Sequence, residues 1–260
     1  MKEITIRKEQ TRRGSLILVN RDHPFRGQEN DLVSCPNGNS DERMNRTAAF
    51  WLSALLQGTE GSGEILAYSG WRSFEEQSRI YEEARRERGE KYAQNFVALP
   101  GRSEHQTGLA VDLAKRAEQI DWICPAFPRE GICEKVRQRA HRYGFIERYP
   151  AGKEQVTQIA PEEWHFRYVG VPHAGIIRSM GLVLEEYLEL LKSFSSDRPY
   201  CVPQAQETIG QSSHWKIEIF YLPVFGQEQT LLLAEDALFE ISGDNCGGVV
   251  VTVWRDSDGT

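Results

Sequence analysis

The chain has 260 residues, 40% of them hydrophobic and 27% charged, which is an ordinary balance for a globular protein of one large domain or a domain with a small appendage. Its formal net charge of −7 argues against a nucleic-acid-binding protein. No apolar run approaches the ~18 residues of a membrane span, so the protein is expected in the cytoplasm if the chain is complete, or in the cell envelope if an N-terminal anchor was removed.

The negative charge is concentrated at the C-terminal end. Residues 195–260 contain three basic residues (Arg198, Lys216 and Arg255) against ten acidic ones, whereas residues 1–194 are neutral overall. This asymmetry predicts two domains, a larger one at 1–194 and a small acidic module at 195–260. The sequence contains no internal repeat, and it predicts no particular oligomeric state.

The cysteines are dispersed and do not form a metal-binding or disulfide framework. There are five, an odd number, and no C-x-x-C motif occurs. Free thiols are therefore the preferred interpretation, and a single bridge between Cys124 and Cys133 is left open.

Hydrophobic patterns predict helices and strands along the first half of the chain. Each prediction rests on helical spacing, on a buried apolar run or on capping residues. The expected elements are a strand at Ser15–Asn20, a helix at Asp41–Gln57, a strand at Glu64–Gly70, a helix from about Phe74 to Arg88 that follows Ser73 and stops at Gly89, a loop at Lys91–Pro100, and a strand at Thr107–Leu113.

The second half continues with helices and then changes to short strands. Strands alternate between turns rich in glycine, aspartate and asparagine after about residue 198. The expected elements are a helix at Glu130–Tyr143 closed by Gly144, a strand at Phe145–Glu147, a strand that begins at His165, helices near Pro172–Met180 and Leu184–Ser193, and strands at His214–Leu222, Thr230–Leu233, Ala237–Ile241 and Val249–Trp254.

Two motifs place candidate metal ligands far apart in the chain. The segment G-R-S-E-H-Q-T-G-L-A-V-D carries His105 and Asp112, and P-E-E-W-H ends at His165. Two imidazoles and a carboxylate suit catalytic zinc, which usually has three protein ligands and an open position for water. The hypothesis is therefore one zinc ion on these three residues. Spacing alone leaves the alternative of ordinary polar residues equally open, because no helical zinc signature is present.

A zinc hydrolase also needs a carboxylate to move a proton and a cation to stabilise the oxyanion. The carboxylate candidates are Glu162 and Glu163. A strand beginning at His165 places Glu163 on the same face by its period of two, and a bend before the strand would change that. The candidate cation is Arg72, which could also pair with a substrate carboxylate.

Structural alternatives exist for the polar candidates. Arg72 could be a surface residue at a helix start, Gln77 could simply hydrogen-bond a loop, and Ser103 could be only a turn residue. One of the two glutamates is expected to be an ordinary surface acid. The remaining histidines are interpreted as structural or exposed: His23, His141, His173 and His214.

The chain resembles the VanY-type D-alanyl-D-alanine carboxypeptidases, within the zinc D,D-peptidases that include VanX and VanXY. The resemblance lies in S-G-W-R-S-F-E-E-Q, S-E-H-Q-T-G-L-A-V-D and E-E-W-H-F-R-Y-V-G, and it covers about residues 13–190. It implies an α+β fold, with a small central antiparallel sheet flanked by helices. Residues 195–260 lie outside the match and are expected to form a β-rich module that packs on the catalytic domain, with wall-polymer or partner binding as the alternative.

The resemblance also assigns the metal ligands and the base. The family pattern S-x-H-x-x-G-x-A-x-D puts two ligands on His105 and Asp112. The pattern E-x-W-H puts the base on Glu162 and the last ligand on His165. This assignment overrides the period-two argument for Glu163, which stands where relatives often have proline.

The same resemblance implies the substrate contacts and the activity. Arg72 is implied to stabilise the tetrahedral intermediate and to contact substrate, and Gln77 and Ser103 are implied to hold the terminal D-Ala. The implied activity is removal of the C-terminal D-Ala from peptidoglycan stem peptides or precursors ending in D-Ala-D-Ala. In vancomycin-resistance settings this destroys the target of the drug. A D,D-dipeptidase, a dual activity or a non-catalytic peptidoglycan-binding protein are the alternatives.

Overall fold

The structure is a computed structural model, and it describes residues 1–27, 31–121, 123–203, 215–224, 226 and 228–256. The strands are β1 (Lys2–Ile6), β2 (Leu32–Ser34), β3 (Arg43–Asn45), β4 (Ile65–Ser69), β5 (Ala110–Lys115), β6 (Phe145–Tyr149), β7 (Glu162–Tyr168), β8 (Tyr200–Cys201), β9 (Trp215–Pro223), β10 (Gln229–Leu233), β11 (Leu238–Gly243) and β12 (Gly248–Asp256). The α-helices are α1 (Arg46–Gly58), α2 (Phe74–Arg88), α3 (Glu90–Phe96), α4 (Gly131–Arg139), α5 (Glu154–Thr157), α6 (His173–Met180) and α7 (Leu184–Leu191).

The chain divides into two compact units, Val19–Ala174 and Met1–Leu18 together with Gly175–Thr260. The division differs from the predicted boundary between residues 194 and 195. After α7, the Phe194 carbonyl accepts a hydrogen bond from the Tyr221 N–H of β9 at 2.9 Å, which joins this segment to the C-terminal strands. At the N-terminus, β1 pairs antiparallel with β10, from Lys2 opposite Leu233 to Ile6 opposite Gln229. That pairing joins the N-terminus to the C-terminal strands. The division into a catalytic domain at 1–194 and a module at 195–260 stays a prediction, and the role of that module is not assigned.

The unit Val19–Ala174 contains the central antiparallel sheet that the α+β fold class requires. Its strand order is β4-β5-β7-β6, and a second, two-stranded sheet joins β2 to β3. One face of the two inner strands is apolar. Val111 and Leu113 of β5 and Phe166 of β7 are essentially buried. The predicted fold class, α+β with an antiparallel sheet, is confirmed.

Helix α2 begins and ends where the local signals predict. The Ser73 side chain accepts a hydrogen bond from the Glu76 backbone N–H at 3.0 Å, which caps the first turn. At the other end Gly89 has a φ of 90°, which a side chain would disfavour. The inner face is Gln77, Tyr81 and Ala84, all buried.

Three of the predicted elements differ most from the structure. Ser15–Asn20 is buried but is not a strand, because its backbone is held by single contacts, such as Leu16 N–H to Ser242 Oγ at 2.8 Å, and not by a ladder. The helix predicted at Asp41–Gln57 begins only at Arg46, because β3 precedes it and Asn45 caps it. The predicted loop at Lys91–Pro100 contains α3, whose single buried residue, Ala93, gives no helical period.

The other unit is built on the sheet β11-β12-β9-β8. Its short strands match the predicted β-rich pattern within a few residues, although His214 lies outside the described residues. Alternate residues of β12, Val249, Val251 and Val253, are fully buried and pack with Ile6 and Phe220 in one apolar cluster. This unit therefore has a hydrophobic core of its own.

Two further features concern the cysteines and the apolar character of the helices. All five cysteines are free, so the preferred interpretation of free thiols is confirmed and Cys124 does not pair with Cys133. Among the described residues, none of the helices combines the length and the apolar character that a membrane crossing requires.

Candidate metal centre and active site

Three backbone elements bring the predicted ligands together. His105 lies in a single 3₁₀ turn, Glu104–Thr107, and Asp112 lies in β5. Between them Gly108 has a φ of 70°, a conformation that lets the turn reverse into the strand. His165 of β7 is the direct cross-strand partner of Asp112. The seven-residue interval and the strand register together place all three side chains at one point.

The donor atoms of these residues form a compact buried cluster. The possible ligand atoms of His105, Asp112 and His165 lie within 4.8 Å of one another. His165 Nδ1 is 3.0 Å from Asp112 Oδ1, and His105 Nε2 is 3.3 Å from Asp112 Oδ2. Two imidazoles and a carboxylate are a donor set that suits zinc. The cluster could therefore hold a metal ion.

A second contact orients the first histidine. His105 Nδ1 lies 2.6 Å from the carbonyl oxygen of Gly70. A carbonyl can only accept, so Nδ1 carries the proton and Nε2 presents its lone pair to the cluster. Burial and the nearby Arg72 lower the pKa of His105 to about 4. The imidazole is therefore neutral near pH 7, the form that a metal binds.

Asp112 is the hub of the cluster. Besides its contacts to both histidines, its Oδ2 accepts a hydrogen bond from the Arg72 guanidinium at 2.6 Å. Burial alone would raise the pKa of Asp112, but His105, His165 and Arg72 hold it well below its usual range. The carboxylate therefore stays charged at the point where a cation would bind.

Arg72 is not a surface residue. Its side chain is only 13% exposed. Besides Asp112 it donates to Ser69 Oγ at 2.9 Å and to Gln77 Oε1 at 3.4 Å. The planar guanidinium is therefore fixed on three sides while it lines the pocket.

The two adjacent glutamates have different surroundings. Glu162 is 6% exposed, lines the pocket, and places Oε2 3.7 Å from His165 Nδ1. Burial raises the pKa of Glu162 to about 8, against the lowering influence of His165. Glu163 has a side chain 44% exposed and accepts a hydrogen bond from Arg129 at 2.8 Å. Only Glu162 can reach the metal cluster.

The period-two argument for Glu163 is wrong because the strand is longer and irregular. It begins at Glu162, so His165 lies in its middle. In the pairing of β6 with β7, Glu147 lies opposite Phe166 and Tyr149 lies opposite Glu162. Between these two pairs β6 advances by two residues and β7 by four. This irregularity resets the alternation of faces. It turns Glu162 to the side of His165.

Ser103 and Gln77 line the same pocket. Ser103 is 2% exposed, and its hydroxyl makes no capping bond to the 3₁₀ turn that follows. Gln77 is 1% exposed, and its Nε2 donates to the Ala98 carbonyl at 2.8 Å. The structural alternative for Gln77, a hydrogen bond to a loop, therefore holds in this arrangement, and the same amide also accepts from Arg72.

The sequence did not identify several residues that surround the site. The pocket wall includes Glu104, Tyr149 and Trp164. The Tyr149 ring lies beside His165, with centroids 4.9 Å apart and the ring planes tilted by 40°. The signals in the sequence were weak. Glu104 precedes a ligand, and Trp164 precedes another, but a neighbouring position alone does not show which way a side chain points. The other histidines of the described chain do not join the metal cluster.

Comparison with known proteins identifies a family model and several similar chains. The family model described as "VanY: D-alanyl-D-alanine carboxypeptidase" matches residues 41–171. The bifunctional D-Ala-D-Ala dipeptidase and carboxypeptidase VanXYC of Enterococcus gallinarum is 39% identical over 180 residues, which are 68% of this chain and 95% of VanXYC.

Two solved structures are similar as well. The vancomycin-resistance D,D-dipeptidase VanXYg, solved with a D-Ala-D-Ala phosphinate analogue, is 38% identical with a TM-score of 0.91, covering 98% of this chain and 99% of that one. A mutant of the D,D-pentapeptidase VanY from a VanB-type resistance cassette, solved with Zn(II), is 34% identical with a TM-score of 0.58 over 67% of this chain and 98% of that one. The similarity to VanXYg extends well beyond the residues 13–190 expected from the motifs.

Proposed function

The chain belongs to the VanY family of D-alanyl-D-alanine carboxypeptidases, and we propose that it is a zinc enzyme that removes the C-terminal D-Ala from peptidoglycan stem peptides or precursors ending in D-Ala-D-Ala. The observation that carries this proposal is the buried cluster of His105, Asp112 and His165, with Glu162 beside it in the same pocket. A related VanY was solved with Zn(II), which supports zinc as the cofactor.

Zinc would supply two effects at this site, a lower pKa for a bound water and polarisation of the peptide carbonyl. The chain itself supplies the proton transfer. Glu162 accepts the proton of the attacking water and returns it to the amine of the leaving D-Ala. Burial raises the pKa of Glu162 to about 8 before a metal binds, and a cation nearby lowers it. The pKa of Glu162 is therefore suited both to accepting a proton and to returning it.

Arg72 acts on the charge that develops on the substrate. Addition of water to the peptide carbonyl produces an oxyanion, which a fixed cation stabilises without having to reorganise. Arg72 is fixed by Ser69, Gln77 and Asp112, so its remaining N–H groups are directed by the protein and not by solvent. Its second role is to contact the substrate itself.

Ser103 and Gln77 are proposed to hold the terminal D-Ala, including its carboxylate. Ser103 offers a buried hydroxyl that can donate to a carboxylate oxygen. Gln77 supports the same end of the pocket by fixing the backbone at Ala98 and orienting Arg72. Direct contact between Gln77 and substrate stays a prediction from the resemblance.

The test is the product of the reaction. Zinc-loaded protein is incubated with a muropeptide pentapeptide ending in D-Ala-D-Ala and, separately, with the free dipeptide. The products are identified by mass spectrometry. The expected result is a tetrapeptide plus D-Ala from the first substrate. If the protein binds zinc and peptide but releases no D-Ala from either, the proposed function is wrong, and a non-catalytic peptidoglycan-binding protein is the remaining explanation.

The VanXYg similarity favours a second candidate, a D,D-dipeptidase or a dual activity. That protein is described as a D,D-dipeptidase, and the match extends over nearly the whole of both chains. Both reactions hydrolyse the bond between the two D-Ala residues, and so both would deplete the target of vancomycin. The ratio of kcat/KM for the pentapeptide to kcat/KM for the free dipeptide separates the candidates in the same assay.

Arg72→Lys is expected to lower kcat/KM by roughly 10²-fold while zinc content is retained. Lysine keeps the positive charge but lacks the planar, forked set of N–H donors by which the guanidinium is held in place. Steady-state kinetics and zinc analysis of the same preparation check this. Arg79→Lys is the matched control, since Arg79 lies on α2 with its side chain 63% exposed. Unchanged kinetics for Arg72→Lys would contradict the assigned role, and so would a loss of zinc that accounts for the whole fall.

A further inference from the structure

Glu104 is a fully buried acid beside the metal cluster whose role the proposed chemistry does not use. Its side chain is 0% exposed, as are those of Arg148 and Arg167. Oε1 accepts from Arg148 Nε at 2.8 Å and lies 2.9 Å from Arg167 NH1. Arg148 is on β6 and Arg167 is on β7, so two neighbouring strands direct arginines at one carboxylate oxygen. Its position is therefore determined by the core of the sheet.

The other oxygen faces a metal ligand. Oε2 is buried and makes no hydrogen bond within the described chain, and it lies 3.7 Å from Nε2 of His165. That nitrogen is also buried without a hydrogen-bond partner in the described residues. A buried polar atom without a partner is costly, so two such atoms facing each other at this distance point to one interaction. A small movement of either side chain would close it.

The two ring nitrogens of His165 face different carboxylates. Its Nδ1 faces Asp112 at 3.0 Å, on the side of the cluster, and Nε2 faces Glu104 on the far side. A histidine that binds a metal through one nitrogen usually donates the other N–H to a carboxylate, a carbonyl or water, which fixes the tautomer and the ring. His105 obtains that orientation from Gly70. Glu104 stands in the corresponding place for His165.

We propose that Glu104 is a positioning residue for the metal site: it accepts the Nε2–H of His165 and so presents Nδ1 to the ion, while Arg148 and Arg167 hold the carboxylate in place. This inference rests on the proposed metal site and not on the peptidase activity. The competing explanation is that Glu104 only neutralises two buried arginines. The two explanations differ in one respect, because only the first makes zinc affinity depend on the carboxylate.

Zinc affinity of the purified protein, measured by competition with a chromophoric chelator, is the decisive quantity. For Glu104→Gln we expect the dissociation constant for zinc to rise about 10- to 100-fold, the usual cost of losing such a contact. Glu163→Gln is the matched control and should bind zinc as the wild type does, since Glu163 is exposed and bonded to Arg129. A wild-type dissociation constant in Glu104→Gln would overturn the proposal.

A second variant covers the case in which Glu104→Gln does not fold. Glu104→Asp keeps the charge opposite Arg148 and Arg167 but withdraws the carboxylate by one methylene from His165. It should fold and still lose zinc affinity. A folded Glu104→Asp with the affinity of the wild type would leave only the neutralising role.

The proposal can also be tested by an NMR measurement on the wild-type protein. In ¹⁵N-histidine-labelled, zinc-loaded protein, the Nε2–H of His165 should give a downfield, slowly exchanging proton signal characteristic of a bond to a carboxylate. A signal typical of an unbonded or rapidly exchanging N–H would overturn the proposal. Peptidase activity is scored separately, so that a zinc-binding but inert wild type would refute the proposed function and leave this inference intact.

Discussion

Replacing Glu162 by glutamine is expected to lower kcat by about 10³-fold while zinc binding is retained, because the amide keeps the shape of the side chain but cannot accept a proton. Glu162 is buried in the pocket, and its Oε2 is 3.7 Å from Nδ1 of His165. It is not among the three residues that form the metal cluster. The substitution therefore separates proton transfer from metal binding. Steady-state kinetics with a pentapeptide and zinc analysis on the same sample measure the two.

The adjacent glutamate makes the control unusually close. Glu163→Gln removes the same group one position further along the chain, from an exposed side chain bonded to Arg129. It should leave kcat, KM and zinc content unchanged. The assignment of the base is wrong if Glu163→Gln abolishes turnover and Glu162→Gln does not. A Glu162→Gln variant that loses its zinc would instead place Glu162 among the groups that hold the ion.

The two glutamates also show what residue spacing alone could not predict, namely which of them faces the metal cluster. The alternation of a strand is a local rule, and it selected Glu163. The irregularity in the pairing of β6 with β7 overrides that rule, and it depends on a strand some fifteen residues away in the chain. The family resemblance selected Glu162 because its motif already contains the outcome of that pairing. A pattern learned from whole folds can therefore carry nonlocal information that spacing does not.

Elements with complete local signals were predictable to the residue. Helix α2 has its cap at Ser73 and its stop at Gly89, and both signals act within one turn. The position of β1 was not predictable in this way, because its partner, β10, lies more than 220 residues away. That pairing also places the N-terminal residues in the same unit as the C-terminal strands. Long-range strand pairing thus explains both the position of Glu162 and the assignment of the N-terminus to the second unit.

The proposed metal ligands could be recognised in the sequence, and the residues that contact them could not. His105 and Asp112 stand in one motif, and both their residue types and the resemblance grouped them with His165. Glu104 is adjacent to His105 in the sequence, yet its role depends on Arg148 and Arg167 from two other strands. In a sequence such arginines resemble exposed strand residues, since buried arginine is rare without a partner. Only the folded chain shows that both are fully buried.

Loss of the charge on Asp112 is expected to have the largest effect on the metal. Asp112→Asn keeps the size of the side chain but leaves the two histidines and Arg72 without the anion that all three contact. The dissociation constant for zinc should rise by more than the 10- to 100-fold typical of an outer hydrogen bond, because a ligand itself is weakened. Activity should fall to that of the zinc-free protein.

Asp31→Asn is the matched control for Asp112→Asn. Asp31 also pairs with an arginine, at 2.9 Å from Arg46, but its side chain is 55% exposed, and such surface pairs contribute only about 0–1 kcal/mol. Its zinc affinity and kinetics should match the wild type. Chelator competition measures the metal, and circular dichroism of the zinc-free proteins tests whether both variants remain folded. If Asp112→Asn stays folded and binds zinc as tightly as Asp31→Asn, the ion cannot be held by the cluster that β5 and β7 bring together. The charge of Asp112 would then serve only to fix Arg72.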